Sequence, residues 1–211
     1  PATLRRMYVP RHFEVTDRDL IFEFMSANNF ATLVTVVDGV PFGTHLPFVV
    51  NRDAGEHGTL IAHMARANPQ WQHFASESDV LVIFQGPHAY VSPSLYETHP
   101  AVPTWNCLTV HAYGRPRVIS EESEVRAILG DLVHQHEAPD SGWTIESGEG
   151  YVARMINGIV AFEIPLSRVE AKAKLSQNRD ATDQRNVKDS LLASEYEVER
   201  EVGELMQRIQ G

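Results

Sequence analysis

The sequence predicts a mainly β fold with added helices (α+β), built as an antiparallel barrel, and three observations carry that prediction. Six or seven runs rich in Val, Ile, Thr and aromatic residues follow one another along the chain. Asp38-Gly39 joins two of them, the strongest short hairpin signal. Helical periodicity is confined to the beginning, to some connections and to the last thirty or so residues.

Taken in order, Thr16 with Asp19 has capping-box spacing, and Leu20, Ile21, Phe24 and Met25 then share one stripe, which predicts a first helix. The stretch FATLVTVVDGVPFGTHLPFVV, starting at Phe30, predicts two strands around the Asp38-Gly39 turn. Further strands are expected over 59–62, 80–84, 89–92, 105–119 and 159–172, with Gly86-Pro87 as a turn between the second and third of these. Short helices are expected over 69–75, 121–136 and near 151–156. Towards the end, Val187, Leu191 and Leu192, then Val198, Val202, Leu205 and Ile209, predict one or two amphipathic helices. No repeat, low-complexity tract or linker marks a boundary, so residues 1–211 read as a single domain with a helical appendage from about 180.

With 43% hydrophobic residues, a chain of 211 can bury a sizeable core. No apolar run approaches the eighteen or so residues of a membrane helix, and no signal peptide is legible, so a cytoplasmic protein is expected. Cys107 is the only cysteine, which excludes an internal disulfide and a cysteine zinc cage. The net charge of −10 repels polyanions, because nucleic-acid affinity comes largely from phosphate neutralisation. From 186 to 211, three basic residues (Lys188, Arg200, Arg208) face six acids, and no basic patch of any length occurs, so direct DNA binding is not expected.

Three clusters could carry chemistry. In HMARANPQW (63–71), Asn68 is a good N-cap and Pro69 suits the first helical position, while His63 and Arg66 add donors and charge. An anionic group such as phosphate suits that combination. The same residues also read as a plain capped helix, with His63 on a strand face and Arg66 in solvent. The segment FQGPHAYVSPSLYETHPAVPTWN (84–106) gathers Tyr90, Tyr96 and Trp105 with Ser92, Thr104 and Asn106, a composition that suits a flat heteroaromatic ligand or, equally, an aromatic barrel rim. In KAKLSQNRD (172–180), Lys172, Lys174 and Arg179 surround Ser176, Gln177 and Asn178, either as an anion site or as a polar loop capping the next helix.

Other chemistries find less support. His134 and His136 sit two apart on a predicted helix and point to different faces, and no HExxH or Cys pair accompanies them, so no metal site is expected. Neither a G-x-S-x-G elbow nor the common Gly-rich nucleotide loops occur.

MYVPRHF from Met7, FATLVT from Phe30, THLPFVV from Thr44, HMARANPQW, FQGPHAYVSPSLY, VPTWN and KLSQNR, in this order, resemble the PaiB family of FMN-binding proteins over residues 7 to about 185. The resemblance implies a six-stranded antiparallel Greek-key split β-barrel of the FMN-binding type, homodimeric, with FMN at the subunit interface and the C-terminal helices added. It implies that the FMN phosphate is held at Asn68 with His63, Arg66 and Lys174. The ring would lie against the segment carrying Tyr90, Ser92, Trp105 and Asn106, His45 of THLP would meet its edge, and Gln177 with Asn178 would reach the cofactor across the dimer. Some members are described as transcriptional regulators repressing protease production and sporulation, so a negative regulator acting indirectly is the function expected. An FMN-dependent oxidoreductase, of pyridoxamine-phosphate-oxidase or flavin-reductase kind, and a haem-binding barrel are the alternatives within the wider superfamily. The chain departs from the family at Cys107, where an aromatic residue is common, and after Arg185, where no motif is recognisable.

Overall fold

The computed structural model describes residues 6–76, 78–138, 140–144 and 148–210. Its strands are β1 (Glu14–Val15), β2 (Phe30–Val37), β3 (Val40–Pro47), β4 (Val49–Asn51), β5 (Thr59–Ala65), β6 (Val80–Val91), β7 (Thr104–Gly114), β8 (Arg117–Ile119) and β9 (Ile159–Lys174). They form one nine-stranded sheet in the order β3-β2-β6-β7-β9-β5-β4, open at its ends, with β1 and β8 also pairing with β9. The expected mainly β, antiparallel fold with added helices is present. Six strands are long, as expected, and three of two or three residues join them, so the count is nine rather than six.

The β2–β3 hairpin closes at Asp38 (φ 52) and Gly39 (φ 79), both left-handed as a type I′ turn requires, and runs in register from Val37↔Val40 to Phe30↔Pro47. Four expectations need correction. Helix α1 (Arg18–Ala27) is capped by Asp17, not Thr16: Asp17 Oδ1 accepts from the amides of Asp19 (2.9 Å) and Leu20 (3.2 Å), because the helix begins one residue later than the capping box supposed. Gly86-Pro87 makes no turn, since β6 runs through it unbroken. β2 registers with β6 at Leu81–Ile83, so Pro87 lies beyond the ladder on that side. The expected 105–119 strand is interrupted at 115–116, where Pro116 cannot donate to a ladder. Strand β5 extends to Ala65 and therefore includes His63.

The remaining helices are α2 (Glu122–His136), α3 (Glu149–Ile156), α4 (Ala181–Leu192) and α5 (Glu197–Gln210), with 3-10 turns at Arg11–Phe13, Pro69–Ala75 and Pro93–Leu95. The chain divides into two compact units. One comprises Phe22–Phe84 and His111–Val169; its core includes Phe48, whose ring centroid is 6.0 Å from Phe84 and 6.4 Å from Phe162, and helix α2 buries Val125, Ile128 and Leu132 against Ala161. The other comprises Pro1–Ile21, Gln85–Val110 and Glu170–Gly211, and it buries Leu108, Leu175, Val187, Leu191, Val202 and Met206. Of the apolar positions picked out in the two C-terminal helices, Val198 is exposed; Met206, which is not among them, is buried.

Candidate functional site

In the unit that contains both C-terminal helices, Tyr96, Thr104, Asn106, Lys174, Ser176, Asn178 and Arg179 line a cavity of about 140 Å³ together with Val102 and Pro103. β9 delivers Lys174 at its end, and its Nζ donates to the Thr104 hydroxyl and to the Trp105 carbonyl (2.9 Å). Burial pushes the Lys174 ammonium below its ordinary pKa, and the cations of Lys172 and Arg179 push the same way against an opposing pull from Cys107. Ser176 takes a left-handed conformation (φ 68) and is buried with Asn106; Asn106 Nδ2 donates to its hydroxyl at 3.1 Å. The Arg179 guanidinium lies over the Tyr96 ring, 4.1 Å from its centroid. Two cations and several hydroxyl or amide groups thus surround a space the size of a small oxyanion.

The segment expected to form one ring wall is divided by the pleat of β7. Successive side chains of a strand point to opposite faces, so Asn106 is buried while Trp105 is 54% exposed. Trp105 shares its face with two residues of β6: Tyr90 meets it edge-on at 5.9 Å, and the His88 ring lies 5.9 Å away, tilted by 43°. Ser92 turns to local work, capping Pro93–Leu95 by accepting from the amide of Ser94 at 3.2 Å. Gln177 is likewise used by its own loop. Its Oε1 accepts from the amide of Leu175 and its Nε2 donates to Ala173 O, each at 2.6 Å.

The other four expected residues belong to the second unit. Asn68 caps the 3-10 helix Pro69–Ala75 through the amide of Gln70 (3.0 Å) and donates to Thr44 Oγ1 (3.0 Å), beside His45 on β3. His45 is exposed, stacked loosely on Phe30 at 6.4 Å. Arg66 reaches across to the carbonyls of Asn157 (2.8 Å) and Ile159 (2.7 Å), so two of its guanidinium nitrogens are engaged within the fold. His63 is half-buried, its Nδ1 is buried without a hydrogen-bond partner, and burial lowers its pKa below 6.5. Tyr96 and Arg179 come from two different candidate clusters of the sequence, and their contact across 83 positions had no local signal.

A family model described as "Putative FMN-binding domain" matches residues 7–168. "Protease synthase and sporulation protein PAI 2" of Bacillus subtilis is 38% identical over 203 residues, covering 95% of this chain and 97% of its own length. An uncharacterized Saccharomyces cerevisiae protein, YKL070W, is 32% identical over 161 residues, covering 62% of this chain and 90% of its own. Among solved structures, the flavocytochrome Anf3 of Azotobacter vinelandii superposes with a TM-score of 0.58 at 17% identity, over 84% of this chain and 78% of its own. The FAD and heme binding protein of Mycobacterium smegmatis does so with a TM-score of 0.57 at 15% identity, over 82% and 78%. At such identities the two structures speak for the fold alone.

Proposed function

The chain belongs to the PaiB family of FMN-binding proteins, and from that premise we propose that it is an FMN-bearing cytoplasmic homodimer that represses gene expression indirectly, through a small molecule or another protein. FMN is the cofactor of the family, and the residues present suit it. The observation that carries the reading is the pair of cations, Lys174 and Arg179, at a small cavity in a chain whose net charge is −10. A phosphate dianion there offsets both the burial of the Lys174 ammonium and its repulsion from Arg179. Thr104 and Asn178 supply neutral hydrogen-bonding groups to the same space. The exposed rings of Tyr90 and Trp105 offer an apolar face to a flavin. When bound, FMN supplies reversible redox chemistry, while the protein's part is to hold and orient it.

The regulatory half of the proposal draws on the relative named for protease synthesis and sporulation, with which nearly the whole chain aligns. Indirect action follows from charge: a surface this acidic has little to offer DNA phosphates. The test is a visible-absorption titration with FMN of the unmodified protein, of Lys174→Ala/Arg179→Ala and of His63→Ala/Arg66→Ala, followed by transcript profiling of cells carrying each. The expected result is at least a tenfold loss of affinity in the first variant only, with derepressed transcripts in the same cells. Loss in the second variant alone would move the phosphate to Asn68. Sustained, multiple-turnover NADPH oxidation with unchanged transcripts would instead make the protein an oxidoreductase.

A further inference from the structure

Arg179 lines the cavity it shares with Lys174, and among the described residues its guanidinium makes no hydrogen bond or ion pair. What holds it is one face of the Tyr96 ring, whose centroid lies 4.1 Å away. A long charged side chain left free samples many rotamers and gives up that freedom on binding, so a contact that fixes it beforehand raises affinity. We infer that Tyr96 is the positioning residue of this site: the face of its ring holds the Arg179 guanidinium ready for the FMN phosphate, an inference that rests on the FMN assignment above.

Tyr96 can fix its neighbour because it is fixed itself. It is buried, and the loop that carries it is fastened to the start of α4 by two carboxylates. Asp183 accepts from the amide of Glu97 at 2.7 Å, and Asp180 Oδ2 accepts from the Thr98 hydroxyl at 2.6 Å. The other Asp180 oxygen accepts from the amides of Thr182 and Asp183, each at 2.9 Å, so the acid beside Arg179 in sequence is used by the loop and the helix start. The Arg179 backbone is anchored as well: its N–H donates to Ser176 O at 2.9 Å, and its carbonyl accepts from Gln184 Nε2 at 2.6 Å. Only the side chain keeps its freedom, and the ring removes it. The Tyr96 hydroxyl is buried and makes no hydrogen bond, so the ring face carries the role and phenylalanine serves equally.

The experiment is a double-mutant cycle on the full chain, read as FMN affinity by absorbance titration. Tyr96→Leu removes the ring and is expected to weaken FMN about fivefold, the worth of one cation–ring contact. Tyr96→Phe keeps the unmodified affinity to within about twofold. Arg179→Ala loses at least as much as Tyr96→Leu, and adding Tyr96→Leu to it costs less than about twofold more, because the ring acts through the guanidinium. Tyr96→Met, apolar and adaptable but without a ring, makes the same test should the leucine variant fold poorly. Full affinity in the leucine and methionine variants, an equal loss in Tyr96→Phe, or a loss that persists in the Arg179→Ala background would each overturn the inference while leaving the FMN assignment in place. Unchanged affinity in Arg179→Ala would overturn the inference together with the part of that assignment that gives Arg179 to the phosphate.

Discussion

His63 illustrates how one side chain can be read differently from sequence and from structure. As a residue type beside Arg66 and Asn68 it suggests a phosphate donor, yet its ring lines an apolar cavity and burial lowers its pKa below 6.5. The unfolded chain, at the ordinary value, therefore takes up its proton first as the pH falls. Stability is full above about pH 6.5 and declines as the pH drops towards the folded value. Thermal unfolding should accordingly shift to lower temperature between pH 7.5 and 5.5, and His63→Leu should flatten that slope. An unchanged slope in the variant would show that the ring protonates freely in the folded state. Asn106 moves the other way: it reads as a ligand from its motif, but it is buried against Ser176, with its Nδ2 also 3.5 Å from the sulfur of Met206. Ser176 and Met206, seventy and a hundred positions away, define that role, and neither is legible locally.

At the scale of elements, the 3-10 helix Pro69–Ala75 acts as a staple for the β2–β3 hairpin. Gln70 is fully buried, and its Nε2 faces the carbonyls of Leu33 and Phe42 at 3.1 Å each and the Thr35 hydroxyl at 3.2 Å. His73 adds a 2.8 Å contact to the same hydroxyl. Gln70→Leu keeps the volume and removes the donor, so urea unfolding should show a loss of about 1–3 kcal/mol, the usual cost of leaving buried polar groups unpaired. Helix α4 plays the comparable part in the other unit. Its buried Asp183 accepts from the amide of Glu97 at 2.7 Å, and Asp183→Ala should loosen the 96–98 loop, measurable as faster amide exchange there while the β2–β3 hairpin is unaffected. The third close fit is backbone against backbone. A Cβ on Gly114 would lie 2.3 Å from the carbonyl oxygen of Pro165, so Gly114→Ala should force β7 and β9 apart and lower the yield of folded protein. The existence of all these elements was legible from hydrophobic period and turn residues. What escaped was the staple, because Gln70 looks like an ordinary exposed helix residue until the hairpin carbonyls come to meet it.

At the scale of the whole molecule, exposed aromatic surface bears on the proposed dimer. Tyr90 and Trp105 are each about half exposed, and the proposed second copy of the chain would cover them. Sedimentation should therefore give twice the 23.7 kDa chain mass, and a double substitution of Tyr90 and Trp105 by Ser should shift the species towards one chain mass. Steady monomer in the unmodified protein would remove the dimer from the proposal. Sequence alone was enough for the mainly antiparallel architecture, the family, the cofactor and the direction of the net charge. Those follow from local period, from long motifs and from composition, none of which needs to know what lies opposite a residue. The tertiary structure alone decided that Asp17 caps α1, that β6 runs through Gly86-Pro87, that Asn106 and Trp105 part to opposite faces, and that Arg66 is bound to the carbonyls of Asn157 and Ile159 while Lys174 and Arg179 flank a cavity. Whether a donor is available to a ligand depends on which acceptors the fold brings to it, and here those acceptors come from some 70 to 90 positions away for Lys174 and Arg66.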